Sequence, residues 1–394
     1  MEGPSGILFA MDNPSIYSAK PRYEILDGLR GVAAFIVILF HVFEVYSGGD
    51  HTRQIVNHGY LAVDFFFALS GFVIGYAYDD RWARGMTIGS FFKRRLIRLH
   101  PLLILGTVVG ALCFYFHDGH PEWTKLISGT SPWKMLGIML FCFTLIPCPK
   151  AWDIRGWADT NPLNGAVWSL QWEYVANILY ATIIRRFRTW ALALLVAVSA
   201  VLTLILCFNL DFTGWLKARE GYAAYTVIGG WSMDPDQLQV GVTRLFYPFF
   251  SGLLLARLKW IIPVRRGGFL LCSALITIAF AMPYFASAPW QNGLYEAAVI
   301  LLFFPLVLSL GAGSATPNGI LGRFCRFAGD ISFPIYIVHQ PIIQLHYSWV
   351  GTHPNAPVAQ HVAVAASVVL TAVGVAWAAF KLYDLPVRKW LSNK

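Results

Sequence analysis

LDGLRGVAAFIVILFHVFEVY, residues 26–46, decides how this chain is read. The stretch reaches the roughly 20 residues that a helix needs to cross a bilayer. Its middle, residues 31–40, carries no polar side chain, yet Arg30 stands before that middle and His41 and Glu44 after it. Eleven residues separate Arg30 from His41. At about 100° per residue, eleven steps overshoot three full turns by only about 20°. Both side chains therefore share one face, about 16 Å apart along the axis, and Glu44 follows one turn later.

The rest of the chain repeats the apolar character. Of 394 residues, 57% are hydrophobic and 13% are charged, where a soluble domain is about 25% charged. This excludes a disordered chain, a coiled coil and an ordinary soluble enzyme, and leaves a helical protein with many spans. The net charge of +9 does not indicate a nucleic-acid partner. The basic residues fall in short clusters between apolar runs, as the positive-inside rule requires. MEGPSG at the start has no basic region of the secretory kind, so the first long run is expected to remain as an anchor. The six cysteines show no metal-ligand spacing, and no metal is expected. Cys142 and Cys148 are read as small buried thiols, with a disulfide between them left open if their loop is on an oxidising side.

Eleven apolar runs follow one another, at 29–48, 59–78, 101–117, 133–146, 166–184, 190–208, 240–258, 268–286, 294–313, 330–350 and 360–380. The run 133–146 is short and flanked by Pro132, Pro147 and Pro149, which marks it as re-entrant or interfacial. With that run not crossing and the N-terminus inside, 22 of the 30 Lys and Arg residues fall on the inner side and seven on the outer side. If 133–146 crossed, every later cluster would change sides and the bias would vanish. The expectation is thus an all-α polytopic membrane bundle of about ten spans with both termini cytoplasmic. Its parts are a tail (1–22), one transmembrane domain (23–391) and a short end (392–394). The loops 118–165 and 209–239 then lie outside. Both are rich in Trp, Pro and Gly, which suits lids over an outward-facing site.

Ionisable groups inside spans are costly and mark function by default. Counted from the outer side, Asp64 lies about 8 Å deep, and His41 and Glu173 about 10 Å. A His in one layer with carboxylates has the parts of a general base whose acid orients the ring. Arg244 and His339 are expected to line the same cavity. Arg95 and Arg98, at i and i+3 in FFKRRLIRLHP, share a helix face and suit phosphate binding.

Taken together, these residues resemble the acyltransferase-3 family of membrane acyltransferases. LDGLRG with the Arg30–His41 spacing is similar to its first-helix motif. DFFFALSGF from Asp64, containing Ser70, resembles its FFxLSGF motif. Arg95, Arg98 and Pro101 resemble RxxRxxP, and Trp168, Ser169 and Leu170 with Glu173 resemble WSLxxE. The segment 330–341, with Tyr336, His339 and Pro341, and the segment 383–386 resemble the late motifs, with Asp384 where Glu is common. The order of the six is the family's, from residue 23 to about 391.

The resemblance implies transfer of an acyl group, usually acetyl, from acyl-CoA to a hydroxyl of a carbohydrate or glycolipid, at a bacterial inner membrane. Acetyl-CoA is implied as a substrate, with no permanently bound cofactor. Catalytic roles fall to His41, Glu173 and Asp64, and acyl-CoA binding to Arg30, Arg95 and Arg98. Glu44, Ser70, Trp168, Ser169, Arg244, Tyr336 and His339 are expected at the acceptor or in the cavity wall. Membrane lipids are the remaining partners. Direct attack of the acceptor on the thioester and an acyl-His relay both stay open. A glycan or lipid flippase, with the buried charges as a proton relay, is the alternative reading.

Overall fold

The structure is a computed structural model that describes residue 20 and residues 22–119, 124–216 and 219–393. Most of the tail expected at 1–22 lies outside the described residues, as do Lys217 and Lys394. Among the described residues there are helices and no strands. In order they are α1 (Glu24–Ser47), α2 (Ala62–Ala83), α3 (Ile88–Cys113), α4 (Thr124–Ser128) and α5 (Pro132–Cys142). Then come α6 (Val167–Thr182), α7 (Thr189–Cys207), α8 (Pro235–Leu258), α9 (Gly268–Phe280) and α10 (Trp290–Ala298). The last are α11 (Phe304–Ala312), α12 (Gly319–Thr352), α13 (Val358–Ala378) and α14 (Leu385–Ser392).

Among the described residues seven helical segments are long and apolar enough to cross a membrane, and the chain is an integral membrane protein. The segments are Glu24–Ser47, Gly59–Ala83, Ile88–His117, Thr189–Cys207, Pro235–Leu258, Trp290–Ala312 and Val358–Ser392. Of the expected ten, three fall outside this set. Helices α6 and α9 have 16 and 13 residues, short of the usual span. Helix α12 runs unbroken for 34 residues with Pro334 and Pro341 inside it, and His339, Gln340, Gln344 and His346 lower the apolarity of its central stretch. Helix α5 has 11 residues, about 16 Å of axis, and is much shorter than the hydrocarbon core.

Two pairings organise the bundle, α1 against α12 and α2 against α8. Both depend on small residues that let backbones approach. A Cβ on Gly31 would sit 2.3 Å from the Ala328 carbonyl oxygen of α12, and one on Gly71 would sit 1.9 Å from that of Phe249 on α8. The core of Leu29, Ala33, Phe65 and Phe304 lies between the two pairs.

At two of the prolines inside the bundle, side chains from other segments take over the helical hydrogen bond that is lost. Pro341 has no N–H to give the Ile337 carbonyl, and Asn164 Nδ2 donates to it instead at 2.8 Å. Pro305 likewise frees the Leu301 carbonyl within the π-turn Val299–Phe303, and the Tyr247 hydroxyl donates to it at 2.6 Å. In hydrocarbon such a carbonyl must find a protein partner. The repair by Asn164 draws the loop after α5 onto α12.

Candidate active site

The stripe on α1 faces α12 along its length. At its N-terminal end Arg30 Nε donates to Ser332 Oγ at 2.8 Å, and Nη2 donates to Asp27 Oδ1 at 2.8 Å. At its C-terminal end His41 Nδ1 lies 2.6 Å from Glu44 Oε2, and the Tyr347 hydroxyl bonds the same carboxylate. The Nδ1–H donated to Glu44 leaves the lone pair on Nε2, the tautomer a general base requires. The His41 side chain remains 23% exposed. Across it the His339 ring stacks at 5.3 Å between centroids. His339 Nδ1 is held by the Tyr336 carbonyl at 2.8 Å, so its buried Nε2 also carries a lone pair.

A cavity opens beside Arg30 and Arg98 and runs inward past Ser70, Glu173, Ser169 and Tyr336. Glu173 accepts from Arg95 Nη2 at 2.5 Å and from Ser70 Oγ at 2.9 Å. The Tyr336 and Ser169 hydroxyls are 2.6 Å apart. The Tyr336 ring packs edge-on to Phe66, another wall residue, and lies 5.6 Å from the His339 ring. His41 is thus one ring beyond the wall, reached through Tyr336 and His339.

The layer of one His and two carboxylates does not form. Glu44, not Asp64 or Glu173, is the acid at His41. Glu173 lies with Ser70, six residues further along α2 than Asp64, and so about 9 Å deeper. Asp64 is fully buried against Arg244, which donates from Nη2 at 2.7 Å and from Nε at 3.2 Å. The same Arg244 donates to the carbonyls of Gly229 and Tyr60 at 2.9 and 2.6 Å, and Trp168 covers it at 5.2 Å. None of these three residues is at the cavity wall or His41. Their pairing follows from the close α2–α8 contact, which sets the direction of each side chain as depth alone does not. Cys142 and Cys148 are buried, with their sulfurs 3.6 Å apart.

Asp27, Ser332 and Tyr347 complete the stripe and were not singled out in the sequence. Asp27 and Glu44 stand three residues before Arg30 and after His41, the helical neighbour spacing, so the two acids were legible there. Ser332 and Tyr347 come from a helix some 300 residues away and had no such signal.

The loops 118–165 and 209–239 are held by buried charge. Glu296 accepts from the Tyr60 hydroxyl and, at 2.7 Å, from Val227 N–H. Arg219 donates to the Thr226 and Ile228 carbonyls at 2.8 and 3.0 Å. In the other loop Arg155 is buried, donating to the Pro162 carbonyl at 2.6 Å and facing His117 at 2.9 Å. Nearby Asp159 is pushed up to about 7, by burial and by Asp153, with Arg155 opposing. Its folded value thus exceeds the ordinary 3.8, so the folded state holds this proton longer than the unfolded chain. Stability from this group is present at low pH and is lost as pH rises toward 7. Relative to Asp159→Asn, wild type is therefore expected to lose melting temperature between about pH 4 and pH 7. Parallel melting curves for the two proteins would refute the shift.

Comparison with known proteins fits this geometry. Residues 23–380 match the acyltransferase-3 family, described as an acyltransferase domain. Among relatives, "Protein 2 in picA locus" of Rhizobium radiobacter is 34% identical over 48% of this chain and 96% of its own length. Nodulation protein 10 of Rhizobium leguminosarum bv. viciae is 24% identical over 86% of this chain and 88% of its own. The peptidoglycan O-acetyltransferase OatA of Listeria monocytogenes is 24% identical over 81% of this chain, which spans 49% of that protein. No solved structure matches the chain. The motifs, their order and the family match agree: the chain belongs to the acyltransferase-3 family, and it is an acyltransferase.

Proposed function

We propose that the chain is a membrane O-acyltransferase that moves an acyl group, acetyl in the first instance, from cytosolic acyl-CoA to a carbohydrate hydroxyl. The observation that carries this reading is the α1 stripe. A basic cavity mouth at Arg30 and Arg98 leads by way of Tyr336 and His339 to an acid-held His41, about 16 Å further along the same helix. The basic bias of the loops supports ten spans with both ends inside and 133–146 dipping without crossing. Residues 23–391 form one unit on this reading. The bacterial sources of the relatives support a bacterial inner membrane.

In the proposed step, His41 Nε2 takes the proton of the acceptor hydroxyl as its oxygen attacks the thioester carbonyl. The C–S bond breaks, the CoA thiolate leaves, and it takes from the imidazolium the proton that the acceptor gave up. Glu44 keeps the ring oriented and stabilises its cation. Of the paired Tyr336 and Ser169 hydroxyls, 2.6 Å apart in the cavity wall, one would turn its O–H toward the oxyanion. The carbohydrate acceptor enters from the side of the outer loops.

The test is release of CoA by membrane vesicles given labelled acetyl-CoA, with the label followed into the carbohydrate fraction. Label transfer that depends on this chain supports the reading. Uptake of a glycan without CoA release points to transport instead and ends it.

A further inference from the structure

The cavity of the acyl-CoA reading has a second chamber at its mouth. Lys20, Arg22, Arg81, Tyr23 and Tyr76 line it, and it shares Arg30 and Arg98 with the first. The two chambers differ in chemistry. In the first, Glu173 neutralises Arg95, and the remaining wall is largely apolar. In the second, five cations face the single carboxylate of Asp27, which is already bound to Arg30 at 2.8 Å. Arg22 is only loosely paired, 3.9 Å from Asp27, and its side chain is 67% exposed. Lys20 is tied to Asp80 at 2.6 Å. One wall is a rigid aromatic edge, with the Tyr23 and Tyr76 rings 4.7 Å apart and Tyr23 packed on Phe72 at 5.5 Å.

We infer that this second chamber holds the nucleotide end of CoA, with its phosphates on Arg22, Arg81 and Arg98. The pantetheine arm then passes between Arg30 and Arg98 into the first chamber, carrying the thioester toward Tyr336. The inference rests on the acyl-CoA reading. It moves the phosphates away from Arg95, whose charge Glu173 already satisfies. The nucleotide end carries about four negative charges, which suits a chamber dominated by guanidinium groups. The Tyr23–Tyr76 edge offers the adenine a packing surface.

The experiment compares two ligands on the full chain in neutral-lipid nanodiscs. CoA carries the whole nucleotide end, whereas 4′-phosphopantetheine keeps the arm with the one phosphate next to it and loses the adenosine with its other two phosphates. Calorimetry is expected to show wild type binding CoA at least about tenfold tighter than phosphopantetheine. Arg22→Glu and Arg81→Ala should each weaken CoA about tenfold and leave phosphopantetheine within about twofold. Arg22 is at the surface, and phosphopantetheine binding reports whether each variant is folded. Equal losses for both ligands, or no loss for CoA, would overturn the two-chamber assignment while leaving the acyl-CoA reading intact. Wild type that binds neither ligand overturns both. An anionic lipid headgroup shares the phosphate chemistry. If anionic nanodiscs reduce wild-type CoA binding to the phosphopantetheine level, the chamber belongs to lipid and the inference fails.

Discussion

His41→Ala is expected to lower acyl transfer by about 10³-fold, at the centre of the range for a lost general base, with acyl-CoA binding unchanged. The cavity wall does not include His41, so its loss leaves the donor's contacts intact. Transfer is measured by label reaching the acceptor fraction, and binding by calorimetry on the same nanodiscs. Glu44→Gln supplies the control for the role of the acid. It retains side-chain size but removes the carboxylate that sits 2.6 Å from Nδ1. A drop of about 10²–10⁴-fold in kcat, with KM steady, matches loss of tautomer and cation stabilisation. Asp64 and Glu173 have no contact through which to do this. Retained transfer in His41→Ala would remove this residue from the chemistry.

Asp64→Ala is expected to act on the fold. It leaves the Arg244 guanidinium buried without its carboxylate, and breaking a buried pair from one side costs about 3–5 kcal/mol. Against a typical total of about 5–15 kcal/mol, that is a large share. Arg244 also ties Asp64 on α2 to the loop at Gly229, so that loop loosens with it. The measurement is thermal melting of purified protein in nanodiscs. Pairing Asp64→Ala with Arg244→Met should recover part of the loss, because no uncompensated charge then remains. An Asp64→Ala protein that melts with wild type and yet transfers nothing would return Asp64 to the catalytic group.

Much of the architecture is legible in one dimension. Hydropathy and charge mark nearly every helix, and the prolines around 133–146 mark a helix too short to cross. Period arithmetic on α1 places Arg30, His41 and Glu44 on one face, and all three do face α12. Two features escape it. The run at 330–350 belongs to a helix that begins at Gly319, because the charged residues of its first turns hide it from a hydropathy reading. The interruption of 294–313 at Val299–Phe303 leaves the Leu301 carbonyl to accept from the Tyr247 hydroxyl of α8.

The sequence by itself determined the membrane class, the helical order and the inner stripe from Arg30 to His41. Each depends on local spacing or on the cost of charge in hydrocarbon. Only the tertiary structure decided the pairings between helices: Arg244 for Asp64, and Arg95 with Ser70 for Glu173. Depth along an axis is a sum over residues and can be counted. The direction of a side chain relative to its neighbours depends on which helices meet. Here that is set by close approach at Gly31 and Gly71, where Ala328 and Phe249 leave room for nothing larger.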